Sequence, residues 1–485
     1  MAKNHNCEII SPALINVTQG TPNQIILEGD FPRDLAQKAL NDSWHEICNT
    51  IRQYIEKKDK LSKYKDKFHW QRSWNEVKNH TWEFFWAQSQ ESIKDVREKM
   101  NEVKRERDWI GINWQGESST LSGFDAVAWY GMADRSHPEN NPISEQTQLI
   151  KEFYEDLSNA LPLTVVDREE QLSIPELIKR LITLSEIAEL LNDLQPSEYP
   201  NIEYPPTFVD LNRKEKSLYT GWFQGDGDSI GKLLAKQSEH TQEEIALHTF
   251  SVAMMNWGRD FKNFLPPLDK KSKDGRIIYA GGDDFLGILY RNWSEDKPKD
   301  KLTAKECLDW FFGFNAIWEK HQQKITVSIG FVWAAPNVPQ RDVLQHCRET
   351  EKLAKNNGRD RLAIRILFNS GNHLDWHCPW WFLKDLLESY RDREGKQNWT
   401  HFYNDVAVLE SRHAFNKDNY EVALSLLDIY FQDKRKTILD NLWNKENPKK
   451  TGILGDQTQI KPGNEHKLLN EWIINLAKVG FHLYD

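Results

Sequence analysis

The sequence predicts an α+β protein in which one mixed sheet carries the chemistry. Three observations predict it. Between Tyr219 and Leu367 short apolar runs of strand length alternate with helical patterns, whereas the chain before and after reads chiefly as helix. Two Asp–Gly clusters, Gln224-Gly-Asp-Gly-Asp-Ser229 and Gly281-Gly-Asp-Asp284, fall at the ends of strand-like runs. Four prolines (Pro196, Pro200, Pro205 and Pro206) precede the alternating part, and proline lacks the N–H that a continuing helix or strand needs.

The elements follow in order. Two strand-like stretches, Glu8–Ile15 and Gln24–Glu28, flank a T-P-N turn, and a helix begins near Asp34. From Asp42 to Asp108 the pattern is helical and charge-laced. Ile51–Asp108 holds 15 Lys/Arg against 11 Asp/Glu, which describes a solvated helix face better than an RNA groove. Residues 109–145, rich in Gly, Ser and Asn, read as irregular. Ser173-Ile-Pro-Glu176 has capping-box spacing and opens a helix whose apolar face is Leu177, Ile178, Leu181, Ile182, Leu190 and Leu191.

After the prolines comes a strand, Tyr219–Asp226, then two helices, the second capped by Thr241 with Glu244 three positions on. Arg276–Ala280, the Gly-Gly-Asp-Asp turn and Phe285–Tyr290 make a hairpin. A helix over Ala304–Lys320, a strand Ile325–Ala334, a helix Arg341–Asn356 and a strand Arg361–Leu367 complete the unit. Strand–helix–hairpin–helix–strand is the order of a ferredoxin-like palm backed by helices. From Gly371 onward no strand is convincing, and Leu383–Leu387, Val422–Phe431 and Leu468–Leu476 read as helices. The boundaries expected are 1–125 for an N-terminal region, 126–206 for a helical linker, 207–370 for the palm and 371–485 for a C-terminal helical domain.

Composition excludes several classes. With 39% hydrophobic and 28% charged residues among 485, the chain is not globally disordered. A net charge of −10 excludes a generally basic nucleic-acid coat. Twenty tryptophans imply extensive packing of helices or subunits but name no chemistry. The five cysteines (Cys7, Cys48, Cys307, Cys347, Cys378) form no C-x-x-C pair, so neither a zinc ribbon nor a disulfide framework is readable. The first residues lack the apolar core of a signal peptide, and no run approaches the roughly 18 apolar residues of a membrane span. A reduced, cytoplasmic protein without a membrane partner is expected.

The acidic clusters carry the chemical signal. In a palm sheet the first strand lies beside the hairpin, which brings Asp226 and Asp284 to one edge, 58 residues apart in sequence. Magnesium takes hard oxygen ligands from one or two carboxylates and completes its shell with phosphates and water. Two such ions activate an attacking hydroxyl and stabilise the leaving oxygen of a phosphoryl displacement. Gly281 and Gly282 permit a tight turn with positive φ and a close approach of phosphates to the backbone. The plain alternative is that Asp and Gly are ordinary turn formers. Lys355 and Arg359, where the helix ends before Gly358, either bind phosphates or complement the helix dipole. His373, His377 and Cys378 have the i, i+4 spacing of helical zinc ligands, but their tryptophan-rich surroundings favour packed histidines.

The segments Gly221–Leu234, Ile277–Leu289 and Ile325–Ile366 resemble the GGDEF-type nucleotide cyclase palm. They resemble still more the polymerase/cyclase-like large subunit of type III, III-B-like, CRISPR effector complexes. Weaker likeness runs through Thr21–Gly29 and Thr81–Gln88. The resemblance implies an ATP-consuming palm that makes cyclic oligoadenylate when the complex holds target RNA. It implies Asp226 and Asp284 as metal ligands for Mg2+ or Mn2+, with Asp283 catalytic beside them. Gly227, Asp228, Ser229, Gly281, Gly282, Lys355 and Arg359 would serve the nucleotide. Its partners would be guide CRISPR RNA, target RNA and the other subunits.

Three departures from the family pattern shape the expectation. No His-Asp dipeptide occurs, so no HD nuclease is expected. Gly116–Gly123 stands in the region of the family's zinc module without a cysteine, so no structural zinc is expected. Residues 1–125 leave space only for an abbreviated, degenerate version of the family's first palm. Two alternatives stay open: a catalytically silent structural subunit of the same complex, and a stand-alone cyclase of the GGDEF type.

Overall fold

The computed structural model describes residues 5–13, 23–107, 116–132, 143–161, 165–167, 169–193, 211, 218–238, 242–266, 274–291, 301–416, 418–443, 451–455 and 464–484. The chain divides into two compact units, Met1–Ser11 with Ile25–Val209 and Pro12–Gln24 with Asp210–Asp485. The proline-rich stretch and the Thr241 cap expected from sequence lie outside the described residues.

The first unit is mostly helical. Strands β1 (Glu8–Ser11) and β2 (Ile26–Glu28) pair antiparallel and form the only sheet among its described residues. Helices α1 (Arg33–Glu56), α2 (Phe68–His80), α3 (Ile93–Arg105), α4 (Ile143–Ala160), α5 (Ile174–Leu181) and α6 (Ser185–Asp193) follow. Trp70, Trp74, Phe153, Tyr154, Leu177 and Leu181 are buried in one core. The predicted capping box forms: Ser173 Oγ accepts from the Glu176 N–H and Glu176 Oε2 accepts from the Ser173 N–H. Ser119 donates to the same carboxylate at 2.5 Å, so the Gly116–Gly123 loop is tied to this helix start.

The second unit is built on a six-stranded sheet. Its strands are β3 (Thr220–Gly227), β4 (Arg276–Ala280), β5 (Asp284–Leu289), β6 (Val327–Ala334), β7 (Arg361–Leu367) and β8 (His373–Pro379), in spatial order β4-β5-β3-β6-β7-β8. All neighbours run antiparallel except β6 and β7. Helices α7 (Ile230–Ser238) and α8 (Glu243–Phe261) join β3 to β4, while α9 (Ala304–Phe311) and α10 (Phe314–Trp318) join β5 to β6. Helix α11 (Gln340–Asn356) joins β6 to β7, as a parallel pair requires a crossover. Then come α12 (Trp380–Ser389), α13 (Trp399–Ser411), α14 (Glu421–Tyr430), α15 (Lys434–Asp440) and α16 (Glu465–Tyr484).

Every residue of β6 and β7 is buried, because helices cover both faces of the sheet. One face, with Phe223, Phe285, Ile329 and Phe331, shares a core that continues through α8 and α9 to Leu483 of α16. The other face, with Trp222, Ile288 and Val332, packs against Val343 and Cys347 of α11. Two expectations are corrected here. The helix over 304–320 is broken at Gly313 into α9, α10 and a short 3-10 turn, Glu319–His321. A strand does follow Gly371: β8 hydrogen-bonds along the whole of β7, and its Leu374, Trp376 and Cys378 alternate toward the core.

Candidate metal and nucleotide site

The register of the sheet creates the site. Asp226 on β3 stands directly opposite Asp284 on β5, and directly opposed residues share a face with Cβ atoms about 4.5–5.5 Å apart. That face is the one covered by α11. Gly227 N–H donates to the carbonyl of Asp283 at 3.0 Å, so the strand end and the hairpin turn are tied together by backbone. Asp283 is half-buried, and its carboxyl is pushed up to about 7, first by burial and then by the neighbouring Asp226 charge. The Tyr279 hydroxyl lies near Asp284, and burial together with that carboxylate pushes the phenol up to about 12.

The two glycines of the turn serve different ends. Gly282 has φ +152°, a conformation that side chains rarely adopt, and nothing stands within 4 Å of a Cβ built there. Gly281 is not in the positive-φ region, which corrects the expectation that both are. Its reason is space: a Cβ there would lie 2.3 Å from the Tyr279 hydroxyl oxygen.

Asp228 turns inward. It is 5% exposed, with Oδ1 accepting from Ser328 at 2.7 Å and Oδ2 from Thr326 at 2.9 Å and from the Asp360 N–H at 3.0 Å. These bonds brace the loop in which Ser229 takes φ +57° before α7 begins. Asp228 thus ties β3 to the turn after α11, where Gly358, Arg359 and Asp360 all have positive φ. Burial and the nearby Asp228 push Asp360 up to about 6. Arg359 leans back to Asp228 at 3.9 Å with half its side chain exposed.

Lys355 does more than complement a helix end. Its ammonium meets Asp226 and lies 2.8 Å from Glu351 Oε1, one turn earlier on α11. Close packing sets this geometry, since a Cβ on Gly330 of β6 would come within 2.2 Å of the Glu351 backbone nitrogen. Sequence reasoning missed Glu351 and Tyr279. The first is detectable as i−4 to Lys355, the second as the ring two residues before Gly281. His373 and His377 lie on β8 rather than on a helix, so the zinc spacing does not apply. His377 is half-buried beside the Arg361 guanidinium, which pushes it further below its ordinary range than burial already does.

The donor set suits a hard divalent cation, being carboxylate oxygen throughout. Among the described residues no three His, Cys, Asp or Glu side chains are set to hold a metal by themselves. A cation held by Asp226 and Asp284 would take its remaining ligands from phosphate oxygens and water, as Mg2+ usually does. Among the described residues no helix is long and apolar enough to cross a membrane.

No curated protein matches the chain. Solved structures similar to it include a Csm1–Csm4 cassette in complex with one ATP (17% identity, TM-score 0.31). Csm1 of T. onnurineus (17%, 0.31) and an apo Csm1–Csm4 cassette (16%, 0.33) are also similar. In each case 60% of this chain aligns with 42% of the other, so the chain spans less than half the length of those proteins. Residues 219–363 match the family model of the second palm domain of Cas10/Cmr2, a stretch that runs from the start of β3 into β7 and holds the whole acidic end of the sheet.

Proposed function

We propose that this chain is a large subunit of a type III CRISPR RNA-guided effector complex whose palm joins ATP molecules into cyclic oligoadenylate. The observation that carries the reading is the Asp226–Asp284 register pair, with Asp283 beside it, inside the segment that matches the Cas10/Cmr2 second palm. The strand order β4-β5-β3-β6, with helical crossovers from β3 to β4 and from β5 to β6, supports a ferredoxin-like palm.

In the reaction, the 3′-oxygen of one ATP bonds to the α-phosphorus of another. The bond from that phosphorus to the bridging oxygen breaks, pyrophosphate leaves, and the hydroxyl proton goes to solvent. Mg2+ or Mn2+ held by Asp226 and Asp284 supplies charge neutralisation and a lowered hydroxyl pKa. The open backbone at Gly282, and the free space where a Gly231 side chain would stand, leave a path for the triphosphate at the first turn of α7. Lys355 and Arg359 are the cations within reach of its phosphates. Guide RNA, target RNA and further subunits complete the particle.

The test is incubation of labelled ATP with Mn2+ or Mg2+ and the purified complex, with and without matched target RNA. Oligoadenylate that depends on the target is the expected product. If matched RNA yields none while guide-directed RNA cleavage by the complex persists, the structural-subunit reading replaces this one. Synthesis by the isolated chain without RNA would instead make it a stand-alone cyclase.

A further inference from the structure

The acidic end of the sheet carries its own cation. Lys355 bridges Asp226 on β3 and Glu351 on its own helix. Glu351 is 6% exposed and its backbone is pressed against Gly330, so its carboxylate is a fixed anchor rather than a mobile surface acid. Asp226 is about one quarter exposed, and so is the lysine, which leaves that half of the bridge open to exchange. A divalent cation approaching Asp226 finds an ammonium already in hydrogen-bonding contact with the oxygen it needs. Two cations on one carboxylate oxygen repel strongly in a partly buried setting, so one displaces the other.

We propose that Lys355, positioned by Glu351, is the built-in counter-ion of Asp226 and competes with a divalent cation for it. The inference rests on the metal reading of the site given above. It makes Glu351 a positioning residue: it holds the ammonium beside the cluster when Asp226 is free, and keeps it near once a metal has taken Asp226. The released ammonium then stands one side-chain swing from any phosphate that arrives with the metal.

Thermal unfolding of the full chain tests this without any turnover assay. Wild type, Lys355→Met and the double variant Asp226→Asn/Lys355→Met are compared in EDTA and in millimolar MnCl2. In EDTA, Lys355→Met should lower Tm by about 4–8 °C, because two partly buried carboxylates lose their cation. Adding Asp226→Asn should restore at least half of that loss. Mn2+ should raise the Tm of Lys355→Met by several degrees more than that of wild type, since its competitor is gone.

An equal or smaller Mn2+ increment in Lys355→Met overturns the competition. No increment in either protein sinks the metal reading itself, and the inference with it, a result distinguishable from the first. Should Lys355→Met fail to fold, the double variant decides. A folded double variant identifies the lysine's role as charge on Asp226, and an unfolded one makes Lys355 a structural piece and overturns the proposal.

Discussion

Two polar clusters lie under the same helix, α11, on the same face of the same sheet, and they are built on opposite principles. Near the β7–β8 edge, Arg365 donates to both oxygens of Asp375 at 2.7 Å, to Glu349 at 2.8 Å and to His346 Nδ1 at 2.6 Å. Here one guanidinium, through four hydrogen bonds, is shared by two carboxylates, an excess of one negative charge. At the β3–β5 end, Asp226, Asp228, Asp283, Asp284, Glu351 and Asp360 crowd around Lys355 and Arg359. Six acids face two bases there, an excess of four. Burying like charges is costly without a cation, so the first cluster is finished by the fold and the second invites an external one. Charge balance, more than the number of polar groups, separates a brace from a site.

The largest effect should come from the unbalanced cluster. Replacing both Asp283 and Asp284 by Ala should lower oligoadenylate synthesis by about 10³-fold or more, since a metal shared by Asp226 and Asp284 would lose one of its two carboxylates. Unfolding of the same variant in EDTA should change by no more than about 1 kcal/mol, or show a gain, because repulsion is removed. A variant that loses activity only by unfolding would erase the distinction between the clusters.

The more nearly balanced arginine cluster should behave the other way. Arg365→Met leaves Asp375 and Glu349 beside an apolar side chain and should cost about 2–4 kcal/mol in urea denaturation. Turnover per folded molecule should stay within about threefold, as the site lies beyond direct contact. A large loss of turnover at full stability would show that α11 transmits position from one cluster to the other.

The acidic site was legible where chemistry and local geometry coincide, and illegible where register decides. Asp226 and Asp284 are readable because each stands at a strand end within two residues of a glycine, yet only the antiparallel ladder puts them face to face. Glu351 was hidden because a glutamate on a helix is ordinary, and it becomes special only where Gly330 lets α11 rest on β6. The strand β8 was hidden by its polar residues: His373, Asp375 and His377 mask the alternation of Leu374, Trp376 and Cys378. Aspartate and histidine are poor strand formers, and pairing with β7 overrides that preference, as tertiary context does for edge strands. The break at Gly313 has a local cause, a glycine inside a helical pattern.

Tyr279 sharpens the comparison at a single hydroxyl. Its hydroxyl lies near Asp284, and its ring fills the space that a side chain at Gly281 would need. Tyr279→Phe keeps the ring and removes the donor. Synthesis should fall about tenfold, the scale of one hydrogen bond to a charged group, with the metal concentration for half-activation raised. An unchanged metal dependence would mean that Asp284 needs no orientation.

The smallest effect concerns pH, and the two clusters should answer with opposite signs. Asp283 is raised to about 7 in the folded chain by burial and then by Asp226, against about 3.9 when unfolded. The folded state therefore binds this proton more tightly. The stability it confers is complete below about pH 4 and is lost as pH rises through 7. Asp283→Asn has no charge to acquire, so in EDTA it should gain on wild type as pH increases from 4 to 8. With the side chain only half-buried, that gain is expected to reach about 1 kcal/mol. Glu349 is the mirror case, held below its ordinary range chiefly by the hydrogen bond from Arg365. Its contribution is present above the unfolded value near 4.3 and is lost as pH falls through the lower folded one. Glu349→Gln should thus cost stability at pH 7 and cost progressively less toward pH 3. Denaturation of both variants across that range should give curves of opposite slope. Parallel curves would mean that the acidic end of the sheet is as well compensated as the arginine cluster, and the reason for expecting a cation there would be gone.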